Sequence, residues 1–106
     1  MVPEPNPNTA IAKKFKQKLG NIKISSMRLF GSRAKGNFTP ESDFDFLIIS
    51  NDFKGIPPHK RAVKIYPKWE EDYPLELICL TEAELEQKSK NQWSIAYQAV
   101  STGIPV

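Results

Sequence analysis

The chain has one cysteine, Cys79, one histidine, His59, and no apolar run longer than four residues. Each scarcity excludes a class of protein. A lone cysteine closes no internal disulfide, and one Cys with one His cannot furnish the four ligands of a structural zinc site. The apolar runs fall far short of the ~20 residues a bilayer-spanning helix needs, which excludes a membrane span. The start, Met1-Val2-Pro3-Glu4-Pro5-Asn6-Pro7, has neither a basic segment nor an apolar block, so no secretory leader is expected and the location is read as cytoplasmic. Acid is scarce at the front: residues 1–36 hold eight Lys or Arg against one acid, and residues 37–106 hold seven against eleven. A basic front suits phosphate, although Lys13, Lys14, Lys16 and Lys18 read more simply as the solvated face of a helix.

What is present fits one compact unit. At 106 residues and 40% hydrophobic the chain can bury one core but not a second lobe, so residues 1–106 are read as a single domain with a frayed start over 1–7. Ile11, Phe15 and Leu19 recur every four residues, which predicts a first helix from Asn8 or Thr9 to the Gly20-Asn21 stop. Alternation from Ile22 to Phe30 predicts a strand, and Gly31 to Gly36 leaves it through a tight turn that opens a short helical turn. Asp43 to Ile49 predicts a second strand, apolar enough toward its end to be buried on both faces. A helix is expected over Pro57–Tyr66, broken before Pro67, then a third strand over Leu75–Leu80. Thr81 and Glu84 have capping-box spacing, and a last helix is expected over Asn91–Ser101 with Trp93, Ala96, Tyr97 and Val100 as its apolar face. The fold class is α/β (α+β): a small mixed central sheet of three or more strands flanked by helices.

Ordinary packing does not account for Gly31-Ser32, ten residues, then Asp43-Phe44-Asp45. Alternation along a strand sends Asp43 and Asp45 to one face, about 7 Å apart. Two like charges at the start of the most apolar strand are costly to bury unpaired, and Mg²⁺ is a fitting counter-charge because it takes carboxylate oxygens and fills its sphere with water and phosphate. Gly31 permits a sharp turn and close approach, while Ser32 offers a hydroxyl and an amide at a helix N-terminus, where phosphate is favoured. Arg33 has two readings, a phosphate contact or a bond within its own loop, for instance to Glu41. Glu76, between Leu75 and Leu77, supplies a third carboxylate if its strand lies beside the second. Three acids, two metals and a phosphate cradle are the parts for in-line attack on a nucleoside triphosphate.

At Leu29-Phe30-Gly31-Ser32-Arg33-Ala34-Lys35-Gly36, Ser42-Asp43-Phe44-Asp45-Phe46-Leu47-Ile48 and Leu75-Glu76-Leu77 the sequence resembles the minimal nucleotidyltransferases of the DNA polymerase beta superfamily. The resemblance implies the polymerase beta-like nucleotidyltransferase fold. It also implies catalytic, metal-binding roles for Asp43, Asp45 and Glu76, with Gly31, Ser32 and Arg33 at the triphosphate. The third acid is a glutamate where many relatives carry aspartate. Implied cofactors are two Mg²⁺ ions, with ATP or another nucleoside triphosphate as substrate. The implied activity is transfer of a nucleoside monophosphate, AMP from ATP, to a hydroxyl of a protein or other acceptor.

Members of this type are often antitoxins of a small helical HEPN-type toxin, so the expected partner is such a protein. The alternative is a binding module that neutralises its partner by contact, with catalysis dispensable. Trp93 and Tyr97 are candidate docking residues, although a core role for them is the simpler reading. Nucleic acid is the disfavoured partner, since the acid pair would face any bound backbone, and homo-oligomerisation stays open.

Overall fold

The structure, a computed structural model, describes residues 6–106, so the expected fraying of residues 1–5 lies outside the described residues. Within the described part of the expected start, Asn6 Nδ2 donates to the Arg33 carbonyl (2.7 Å), and Pro7 stands at the N-cap of the first helix. The elements run α1 (Asn8–Gln17), β1 (Ser26–Phe30), α2 (Ser32–Lys35), β2 (Phe44–Ile49), α3 (Pro58–Arg61), β3 (Leu75–Leu80), α4 (Glu82–Ser89), α5 (Ile95–Thr102) and β4 (Ile104–Pro105). No helix among the described residues is long and apolar enough to cross a membrane.

The strands form one mixed sheet in the order β3-β2-β1-β4, with β1 antiparallel to β2 and β4 and β2 parallel to β3. A parallel pair needs a long crossover, and residues 50–74 provide it. One sheet face carries Met27, Leu29, Phe44, Phe46, Ile48 and Cys79, and is covered by Ala12, Phe15 and Leu19 together with Phe53 and Ile65 of the crossover. Trp69 sits among Phe15, Phe44 and Phe46 at ring separations of 5.0 to 6.1 Å. The opposite face carries Leu47, Ile49, Ile78 and Leu80, packed by Leu85 of α4 and by Ala96 and Ala99 of α5. The last four residues of β2 are therefore buried from both sides, as its apolar run predicts.

Several expectations change. The first strand starts at Ser26 rather than Ile22, because the Ile22 amide closes a turn on Leu19 while Ile22 and Ile24 still pack on the core. The helix expected over Pro57–Tyr66 is a single turn, Pro58–Arg61. The last helix starts at Ile95, because the Ser94 hydroxyl caps it by accepting from the Tyr97 amide. This phase buries Ala96 and Ala99 and leaves Trp93 80% and Tyr97 40% exposed, so the expected aromatic inner face is overturned and only Ala96 of that set is buried. Trp93 precedes the helix, outside its stripe. β4 was not expected: two residues carry no period, and Gly103 reads only as a stop.

Candidate active site

Strand register builds the site. Asp45 lies directly opposite Phe30 of β1 and Glu76 of β3, and opposed residues share a face. That face is the one α4 and α5 cover further along, and the two acids stand at its uncovered end. Gly31 follows Phe30 and so arrives above Asp45. Its φ of 74° is open only to glycine-like backbones, and a Cβ there would collide with Asp45 Oδ2. The Gly-Ser turn and the acid therefore touch because Gly31 has no side chain. From Gly31 the chain enters α2, where the Gly31 carbonyl accepts from the amides of Ala34 and Lys35 (both 3.1 Å). The first amides of such a turn have no acceptor within it.

Asp43 sits one residue before β2, exposed, with the rest of the acid set beside it. Partial burial pushes the Asp45 carboxyl up to about 6, and the negative charges of Asp43 and then Glu76 add to the rise. Among the described residues the ion pairs are Lys18–Glu70 and Arg61–Glu84, so no cation offsets these three acids. The donor chemistry suits a hard divalent cation. No three His, Cys, Asp or Glu side chains among the described residues converge closely enough to ligate a single ion. Mg²⁺ is commonly held by one or two carboxylates plus substrate phosphate and water, and a two-carboxylate set meets that demand.

Arg33 is not presented to a ligand. It is 2% exposed, and its guanidinium donates to the carbonyls of Ser42 (3.0 Å) and Pro40 (3.3 Å) and to Asn8 Oδ1 (3.3 Å). It also lies over the rings of Phe44 and Tyr73 at 4.4 and 4.5 Å. Its bonds run to carbonyls of the following loop and to Asn8 of α1 rather than to Glu41, and this burial takes its guanidinium away from the expected phosphate contact. By bonding the Ser42 carbonyl and lying over the Phe44 ring, Arg33 braces the residues on both sides of Asp43. Asn8 and Tyr73, which complete this clamp, were missed because helix and crossover positions far apart in sequence give no local signal. His59 is exposed, as a surface residue should be.

The comparisons agree with this geometry. A family model described as a nucleotidyltransferase domain matches residues 9–100. A candidate protein adenylyltransferase of Methanocaldococcus jannaschii is 31% identical over 68 residues, covering 61% of this chain and 69% of that protein. The crystal structure of a candidate nucleotidyltransferase from Sulfolobus solfataricus shares the fold with a TM-score of 0.52 at 19% identity, covering 82% of this chain and 84% of that one. With a mixed sheet that sets a Gly-Ser turn against a carboxylate and a family match across nearly all of the chain, this protein belongs to the nucleotidyltransferase domain family, enzymes that transfer a nucleotidyl group.

Proposed function

We propose that the chain transfers AMP from ATP to a hydroxyl of a protein, with two Mg²⁺ ions divided among Asp43, Asp45 and Glu76 so that no single ion takes all three. The observation that carries this reading is the uncompensated acid set against the Gly31-Ser32 turn: negative charge that the fold leaves without a partner, beside amides that suit a triphosphate. The name of the Methanocaldococcus jannaschii relative supports adenylyl transfer to protein. Bound Mg²⁺ would supply charge neutralisation for the triphosphate and a lowered pKa for the attacking hydroxyl. Gly31 and Ser32 hold the β- and γ-phosphates through amides and the Ser32 hydroxyl. Glu76 takes the proton as the acceptor oxygen bonds to the α-phosphorus, the α–β phosphoanhydride bond breaks, and pyrophosphate leaves.

The partner we propose is a small helical HEPN-type toxin, this chain acting as its antitoxin in the cytoplasm. The exposed Trp93, Ile95 and Tyr97 support a protein acceptor. Calorimetric titration of ATP with and without Mg²⁺, on the wild type and on Asp43→Asn/Asp45→Asn, tests the site. Binding is expected only with metal and both acids present. Absence of binding at millimolar ATP would leave the contact-only binding module as the better reading.

A further inference from the structure

We infer that the cleft between β3 and the α4–α5 junction is the acceptor groove, and that it takes an acidic polypeptide segment whose hydroxyl is delivered over Glu76. The inference rests on the adenylyl-transfer reading and deepens it.

The order of the strands gives the direction of approach. Across β1, β2 and β3 the sheet sets Gly31-Ser32, Asp45 and Glu76 in a row, with neighbouring strands about 4.8 Å apart. In-line displacement at the α-phosphorus puts entering and leaving oxygens on opposite sides. With pyrophosphate departing toward Gly31-Ser32, the attacking oxygen arrives from the β3 side. There the same sheet face opens into a cleft of about 450 Å³. Its floor is Ile78 and Leu80 and its walls are Lys88, Asn91, Ser94 and Ile95. Ile78 is the next residue after Glu76 on that face, about 7 Å along the strand.

The outer edge of β3 points to a polypeptide as occupant. Pro74 and Leu80 accept from the β2-side amides of Phe44 (2.8 Å) and Ser50 (3.0 Å), so the even-numbered residues of β3 bond inward and the odd-numbered ones turn outward. The Cys79 carbonyl is taken by Arg61 (3.1 Å), whereas β3 ends the sheet and no strand of the described residues pairs with Leu75 or Leu77 on that side. An extended segment laid along this edge repeats its side chains at the same ~7 Å, so a hydroxyl over Glu76 is accompanied by an apolar side chain over Ile78. Charge sets the preference. Lys88 is the one ionisable residue in the lining, and exposed Lys90 follows it, so a carboxylate on the segment is favoured. RNA is disfavoured, because it carries a phosphate at every residue and must pass some over Asp43, Asp45 and Glu76, whereas a polypeptide can confine its carboxylate to the Lys88 end, beyond the apolar side chain over Ile78.

The test uses α-phosphate-labelled ATP with Mg²⁺ and synthetic decapeptides. Each holds Ser, Thr or Tyr two positions from a leucine, flanked on the leucine side by Asp or, in the control set, by Lys; a 12-nucleotide single-stranded RNA is the third probe. Labelling of Asp-flanked peptides at least tenfold faster than Lys-flanked ones is expected. Lys88→Glu should reverse that preference, and Ile95→Glu should slow every peptide about tenfold, with ATP affinity and melting temperature unchanged in both. If Lys88→Glu melts early, Lys88→Ala should abolish the preference instead. Equal labelling by wild type and variants, labelling of the RNA alone, or no labelled peptide despite Mg²⁺-dependent ATP binding would overturn the groove and leave nucleotide binding standing. Failure of the wild type to bind ATP overturns the adenylyl-transfer reading, and the groove falls with it.

Discussion

The two ends of β3 handle charge in opposite ways. At its start, Glu76 lies beside Asp45 and near Asp43, three acids without a cation, and the Asp45 carboxyl is pushed up to about 6. Just past its end, Glu84 accepts from Arg61 at 2.5 and 3.2 Å and from the Thr81 amide at 2.9 Å, and these bonds pull its carboxyl down to about 2. Elsewhere the molecule satisfies its polar groups: among the described residues no buried side-chain nitrogen or oxygen lacks a partner. A fold that pairs charge this thoroughly at one end of a strand and leaves like charges together at the other separates stability from chemistry. The paired end holds α4 and the crossover to β3, and the unpaired end is set for a ligand that brings positive charge.

The largest effect that can break this contrast is on activity at the unpaired end. Asp45→Asn should cut nucleotidyl transfer about a hundredfold or more while the melting temperature holds steady or rises, because the substitution removes a charge that folding has to desolvate. Activity and a thermal melt on one preparation check it. A marked fall in melting temperature would mean that Asp45 is structural and the contrast is wrong. At the paired end the outcome inverts. Arg61→Ala removes a side chain that is 6% exposed and strands Glu84 together with the carbonyls of Cys79 and Ile56. With Glu84 a third exposed, the loss should be about 2–3 kcal/mol, or roughly 10 °C or more in melting temperature, with Mg²⁺-dependent ATP affinity retained in the folded fraction.

Two glycines of one turn sharpen the comparison at smaller scale. Gly31 and Gly36 both have positive φ, at 74° and 91°, but a Cβ at Gly31 runs into Asp45 Oδ2 whereas Gly36 faces open space. Gly36→Ala carries backbone strain alone, about 1 kcal/mol. Gly31→Ala meets a harsher strain, because φ 74° with ψ −159° lies outside the left-handed well that Gly36 occupies, and it displaces the acid as well, so it should cost about 3 kcal/mol and most of the activity. Urea melts with parallel transfer assays separate the two. Equal effects at both positions would mean that the contact with Asp45 is unimportant.

Much of this was legible in the chain, and the rest failed for identifiable reasons. β2 and β3 stood out because their apolar runs are buried by helices on both faces or by a crossover, and the α4 cap because Thr81 and Glu84 form the reciprocal bonds their spacing predicts. Gly31, Asp45 and Glu76 were expected together, and register brings them together. Arg33 misled because charge beside a Gly-Ser turn suggests phosphate, and nothing local reveals that Asn8, Tyr73 and two loop carbonyls surround it. The C-terminal stripe misled through phase: the Ser94 cap starts α5 four residues later than expected, and small Ala96 and Ala99 pack where aromatics seemed the natural filling. β4 depends on pairing with β1, a long-range event that a two-residue segment cannot announce.

The smallest effects are in pH, and there the two ends should pull in opposite directions. Glu84 holds its proton less tightly folded (about 2) than its ordinary 4.5. Its contribution is therefore complete above pH 4.5 and is lost as pH falls toward 2. Asp45 is the reverse, about 6 folded against an ordinary 3.8, so the folded state takes up a proton first. The cost of burying its charge, and with it the repulsion from Asp43 and Glu76, is relieved as pH falls from 6, and the gain in stability is complete near 3.8. Without divalent cations, urea midpoints should rise from pH 7 toward a maximum between about 4 and 5 and then decline. Asp45→Asn should flatten the limb above the maximum and leave the acid limb, whereas Glu84→Gln should flatten the acid limb and leave the upper one. Each variant thus erases one end of β3 from the profile, and Mg²⁺ with ATP should act as Asp45→Asn does, since a cation that neutralises the acids removes the incentive to protonate Asp45. An upper limb that survives Asp45→Asn unchanged would show that the frustration at this end of the sheet resides in other groups.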